Sequence, residues 1–226
     1  MSLDIYVMPL WQFKAGRAKT GAQRVMEGNA LWTPWKFFFP SQRNHVRLAK
    51  QEVDSLIAGL KRMSPTALSW HDEGKVVFST QYSRGFAALQ AYARWVDLKD
   101  VLPEFDPPPE GGFYRHPALL WQEEAREFRF PHLLSHNLVS GYLLPCAFDE
   151  VFQVEPHEGW GHHVLTRSLG SSVALAKELE ALQHQLPLPG MVLHDESLNQ
   201  VREAHGLLKQ TLDLSIRHGL PVIFWG

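Results

Sequence analysis

The 226-residue chain has a single cysteine, Cys146, so no intramolecular disulfide can brace it. That usage fits a reducing compartment. No apolar run approaches the roughly 20 residues that cross a bilayer as a helix. The opening MSLDIYVMPLWQFKAG lacks the basic stretch and small-residue cleavage site of a signal peptide. The expectation is a cytoplasmic protein with no membrane partner. Excess charge is also missing: 22 basic against 24 acidic residues leave a formal net charge of −2. On that near-neutral balance no nucleic-acid partner is expected. Complete catalytic motifs are absent too. There is no GxSxG elbow, no Walker GK[ST], no paired CxxC and no HExxH, because Leu133 stands where the glutamate would be.

What the chain does have is aromatic mass, with eight Trp and thirteen Phe, and alternating stretches of strand and helix pattern. Leu3 to Leu10 is rich in β-branched and aromatic residues and reads as a strand. Trp11 to Asn29 shows no sustained period and reads as a long surface loop with room for one short helical turn. Ser41 to Met63 is the clearest helix, with Val46, Ala49, Val53, Leu56, Leu60 and Met63 on one face. Thr66 to Tyr82 reads as a hairpin turning at Asp72 to Lys75. A second helix follows Ser83, striped by Phe86, Leu89, Ala93 and Val96, and Pro117 to Phe128 reads as a third. Gly141 to Phe148 suits a strand, Ser172 to Leu186 a Leu-striped helix, and Asp195 caps a last long helix. Pro221 to Trp225 is expected as a buried strand beside the N-terminal one.

This order is neither strict β-α-β alternation nor a segregated pattern. It predicts an α+β fold, a mixed β-sheet covered by amphipathic helices, in a single domain of residues 1–226. The PPPEGG breaker places a subdomain hinge near residues 103–116.

Candidate chemistry gathers between His132 and Leu182, which holds five of the twelve histidines. His132 and His136, spaced i, i+4, share a face if Pro131 opens a helical turn. With Cys146 they offer imidazole and thiolate to zinc. Against this, polar histidines around turns commonly hydrogen-bond backbone, so the first expectation is no metal and no cofactor, with zinc on His132, His136 and Cys146 as the alternative. Cys146 lies in apolar LLPCAF, which suits a structural thiol better than a nucleophile. Ser168 to Ser172 leads into a helix and could hold an anion, although capping explains it. Trp32, Trp35, Trp160 and the loop histidines His157, His162 and His163 are the candidate binding residues, since aromatics beside cationic groups make interface anchors.

GYLLPCAFDE followed by SLGSSVALAKELEAL resembles a pattern in uncharacterised bacterial proteins, some of them similar to immunity partners of secreted toxins. The likeness covers about a quarter of the chain and carries no catalytic residue. It implies a bacterial cytoplasmic protein that is not an enzyme. The resulting expectation is a non-enzymatic, immunity-type protein-binding protein whose partner is another protein or a second copy of itself. The alternative is a metal-dependent or Cys/His enzyme acting on a small molecule through the His132 to His163 region.

Overall fold

The computed structural model describes residues 3–18, 41–63, 70, 72–82, 85–99, 128–154, 167–186 and 196–225. In chain order they form β1 (Leu3–Val7), α1 (Leu10–Lys14), α2 (Ser41–Met63), β2 (Phe78–Tyr82), α3 (Phe86–Lys99), α4 (Pro131–Ser135), β3 (Ser140–Leu144), β4 (Phe152–Val154), β5 (Arg167–Ser171), α5 (Ser172–Gln183), α6 (Glu196–His218) and β6 (Val222–Trp225). The strands join in one six-stranded sheet of order β2-β1-β6-β3-β5-β4. Only β3 and β5 run parallel as neighbours; every other pair is antiparallel. The expected α+β architecture with a mixed, helix-covered sheet is what the chain adopts. The hinge region near 103–116 lies outside the described residues.

Strand alternation sorts the side chains to two faces. Leu3, Ile5 and Val7 of β1, Leu143 of β3 and Val222 and Phe224 of β6 enter one core, with α3, α4, α5 and α6. Tyr6, Tyr142, Leu144, Leu169 and Ile223 enter the other, with Leu10 of α1 and Val53 and Leu60 of α2. The sheet is therefore the middle of three layers. Both of its faces are buried at the centre, which is why β1 and β6 read as near-continuous apolar runs. Each fully buried Leu or Phe contributes roughly 2 kcal/mol by leaving water.

The helices follow their stripes. Ala49, Val53 and Leu60 of α2 are buried, while Arg47, Lys50 and Glu52 on its other side are exposed. α3 is apolar over most of its circumference and is buried to match, packed against α4 and α6. β6 lies beside β1, as the sequence predicts, with Ile5 opposite Phe224.

Three readings need correction. The hairpin over Thr66 to Tyr82 does not form among the described residues: β2 pairs with β1, Ile5 facing Thr80, and Asp72 to Val77 are irregular. Long-range pairing with an apolar strand wins over the local turn. Leu10, read as the end of the first strand, instead opens the short helix Leu10–Lys14, the one helical turn that the Trp11 to Asn29 loop leaves room for. Ser168 to Ser172, read as a lead-in that caps a helix, does cap α5 through Ser171, but Arg167–Ser171 also form the strand β5, which the sequence pattern does not predict. Its sequence, RSLGS, has little β-propensity. Its place in the sheet is set by its neighbours.

Candidate functional site

On the first sheet face, β3 and β5 present unusually small residues. Gly141 pairs with Ser168, and Leu143 with Gly170. A Cβ on Gly141 would lie 2.9 Å from His136 Cε1 and 2.8 Å from Ser168 Oγ. A Cβ on Gly170 would lie 3.2 Å from His136 Nδ1 and 3.5 Å from His132 Cδ2. The two glycines thus clear a niche, and the imidazoles of α4 fill it. His132 is 1 % exposed and His136 2 %. The i, i+4 spacing does bring them together on one face: Pro131 opens the turn, and the His136 N–H donates to the His132 carbonyl at 3.1 Å.

Each ring is held through Nδ1. His132 Nδ1 lies 3.2 Å from Glu178 Oε1, and the same carboxylate accepts the backbone N–H groups of His132 and Leu133, both at 2.9 Å. His136 Nδ1 is hydrogen-bonded to Ser168 Oγ at 2.8 Å, and that oxygen also accepts the Asn137 N–H at 2.7 Å. Gln90 of α3 donates to the carbonyls of Leu133 and His136. Among the described residues neither Nε2 atom has a hydrogen-bond partner. Burial, and then the neighbouring His132, push the His136 imidazole down to about 3, so at neutral pH it is uncharged.

Cys146 is not part of this group. Its carbonyl accepts a hydrogen bond from Ser171 Oγ at 2.6 Å, and burial pushes its thiol up to about 11. A thiol so placed is protonated at neutral pH and is a poor nucleophile. Among the described residues no three His, Cys, Asp or Glu side chains are gathered to hold a metal. The zinc alternative therefore keeps two of its three residues together and loses the third.

The Ser168 to Ser172 segment also has its hydroxyls in use. Ser171 Oγ accepts the Ala174 N–H at 3.0 Å as the N-cap of α5, and Ser172 Oγ is bonded to Ser215 Oγ at 2.9 Å. On the exposed basic side of α2, Lys50 Nζ lies 4.8 Å from the centre of the Trp11 ring, which Arg17 also meets at 5.0 Å. Lys14 pairs with Glu52 at 3.1 Å. His157, Trp160, His162, His163, Trp32 and Trp35 all lie outside the described residues. Among the described residues no helix is long and apolar enough to cross a membrane.

The geometry defines a three-layer α+β protein in which buried polar groups brace helices against the sheet. The chain belongs to the family described as "Putative DNA-mimic protein", whose model matches residues 41–224. No curated protein and no solved structure matches the chain.

That membership corrects the functional expectations. The immunity-type protein-binding reading, its Cys/His or metal-dependent enzyme alternative, and the list of partners without any link to nucleic acid all give way to a family defined by DNA mimicry. Averaging charge over the chain is what misleads. Residues 1–40 carry five basic and two acidic residues, whereas 41–224 carry seventeen basic and twenty-two acidic. Residues 97–158 alone hold twelve acidic and four basic residues, half of the chain's 24 carboxylates. That segregation is the signal, and a whole-chain charge of −2 conceals it. Of the twelve, Asp97 is buried and accepts the Arg129 N–H at 3.2 Å, while Asp149 and Glu150 are exposed just beyond β3.

Proposed function

We propose that this protein is a DNA mimic that occupies the nucleic-acid-binding surface of a DNA-binding protein, presenting carboxylates where duplex DNA presents phosphates. The observation that carries this reading is family membership over residues 41–224. The acidic stretch 97–158 supports it. DNA-binding surfaces are lined with Lys and Arg placed for a chain of phosphates. A protein that offers anions to those cations competes with DNA for them. The single cysteine and a DNA-directed role suit a cytoplasmic setting.

The test is displacement. The full chain, immobilised, is incubated with cell lysate depleted of nucleic acid, then eluted with a short duplex of mixed sequence. The expected result is retention of basic DNA-binding proteins, their release by the duplex, and weakening of retention as salt rises. Neutralising Glu123, Glu124 and Glu127 together to Gln is expected to lower both affinity and salt dependence. The slope of log affinity against log salt should fall by about one for each carboxylate that pairs with a partner cation. Retained proteins that duplex DNA does not displace, or direct binding of the chain to duplex DNA, would overturn the reading.

A further inference from the structure

The niche of His132 and His136 has no part in the function proposed above, yet it sits directly behind the acidic turn that follows β3. A neutral imidazole is tolerated there. A second proton on His136 is not. Ser168 Oγ can meet only Nδ1, and Nε2 meets no acceptor. Among the described residues, the groups facing the ring offer no counter-charge. Ser168 comes from β5, Gly141 from β3, the Phe224 ring from β6 at 5.9 Å between centroids, and Gln90 of α3 is committed to two carbonyls. The ionisable neighbour is His132, whose own partner Glu178 on α5 already serves that imidazole and two backbone N–H groups. A buried charge without a partner costs several kcal/mol in a dry site, so the protonated ring must leave the niche or reopen it to water.

The consequence reaches the surface in two steps. The His132 ring meets Phe148 edge to face, 6.1 Å between centroids, and Phe148 is followed directly by exposed Asp149 and Glu150. We infer that the His132–His136 pair is an acid-sensitive latch: while neutral it holds α4 in the niche and Phe148 in place beneath the acidic turn, and on protonation of His136 it releases both. The value of that release, loss of grip on a bound partner, rests on the DNA-mimic reading; the latch itself does not.

Hydrogen exchange on the full chain between pH 7 and 4.5, corrected for intrinsic rates, tests the latch. The opening constant of amides in 131–144 is expected to rise about tenfold for each pH unit below about 6.5, the response to uptake of one proton. Amides of 205–215 in α6, which open only with the core, should stay better protected than 131–144 at every pH. His136→Gln keeps a polar group against Ser168 but takes up no proton, and should flatten the response. His205→Gln, which alters another buried imidazole, bonded to the Leu179 carbonyl at 2.8 Å, should leave it intact. An unchanged slope in His136→Gln overturns the latch. If that variant fails to fold, the wild type decides: the latch opens 131–144 at a lower cost than global unfolding, so protection in 131–144 as high as that in 205–215 throughout the pH range overturns it as well. Capture of the displaced DNA-binding proteins is then compared at pH 7 and 5.5. Loss at pH 5.5 in the wild type but not in His136→Gln supports the functional consequence, and equal loss in both overturns it. No duplex-displaceable capture at either pH would sink the mimic reading and leave the exchange result standing.

Discussion

Two short helices start in the same way on opposite faces of the sheet. α1 and α4 are five residues long, each has a proline at its start, and neither has a side-chain cap of its own. Each is instead capped from afar by one carboxylate that takes two successive backbone N–H groups. Asp72 receives those of Leu10 and Trp11, at 2.6 and 2.8 Å. Glu178 receives those of His132 and Leu133, both at 2.9 Å. The supports differ. Glu178 is buried and built into the twelve-residue α5, and it also holds an imidazole. Asp72 is half-buried on an irregular segment next to exposed Glu73 and Gly74. The same two hydrogen bonds therefore stand in a buried setting on a regular helix on one face and in a half-buried, irregular one on the other. The cost of losing a cap follows the setting rather than the bond count.

The sharpest test of that claim is Glu178→Ala. It strands two backbone donors and one imidazole nitrogen in a site water cannot readily enter. The expected loss is about 3 kcal/mol, seen in urea unfolding and as a fall in Tm of roughly 6–12 °C for a chain of this size. A loss under about 1 kcal/mol would mean that the site rehydrates.

Acid is the second way to separate the two faces. The His136 imidazole takes its proton near 3 in the folded state and near 6.5 when unfolded. Between those values the unfolded chain binds the extra proton, so the contribution of His136 to stability is complete above about 6.5 and is lost as pH falls through the window. Moving from pH 7 to pH 5 is expected to cost about 2 kcal/mol in wild type, at about 1.4 kcal/mol per pH unit. Urea midpoints at the two pH values measure it. In His136→Gln that part of the loss should disappear.

The third test uses a local cap as reference. Ser171 is fully buried; its hydroxyl accepts the Ala174 N–H and donates to the Cys146 carbonyl at 2.6 Å. Ser171→Ala is expected to cost about 1.5 kcal/mol by thermal unfolding, below Glu178→Ala because fewer groups are stranded. Equal losses would erase the distinction between a local cap and a remote clamp.

Elements with strong period are legible in the sequence. The stripes of α2, α3, α5 and α6 and the apolar runs of β1 and β6 each record a face that must be buried, and burial is what the residues encode. β5 is not legible, because Ser168 and Gly170 are chosen for what they leave room for, and the rings that fill that room sit more than thirty residues earlier. The hairpin reading of residues 66–82 fails for a related reason: a turn at Gly74 is a local signal, while the pairing of β2 with β1 spans some seventy residues. At the site, the i, i+4 spacing of His132 and His136 does report a shared face. Their burial depends on Glu178 and Gly141, which no spacing rule ties to them. The acidic stretch 97–158 is fully visible in the sequence and disappears only when charge is summed over the whole chain.

The smallest expected effect belongs to Asp72→Ala, and it bears most directly on the comparison. The substitution removes the same pair of acceptors as Glu178→Ala, from Leu10 and Trp11 instead of His132 and Leu133. Asp72 and Trp11 are only half-buried, so the Trp11 N–H can find water where the groups on α4 cannot, and Gln12 still ties α1 to the Gly74 carbonyl at 2.7 Å. The expected cost at pH 7 is about 1 kcal/mol. Its pH dependence should also run opposite to that of His136. Burial raises the Asp72 carboxyl above its ordinary 3.8, outweighing the two N–H groups that lower it. Below its folded value and above 3.8 the folded chain holds the extra proton, so Asp72 adds stability as pH falls through that window. Asp72→Ala should therefore steepen the acid loss of the wild type in that range, while His136→Gln flattens its own. The double variant should show the two changes added, because the groups lie on opposite faces and share no partner. Coupling between them beyond about 0.5 kcal/mol in urea midpoints would show that the two clamps act as one unit across the sheet.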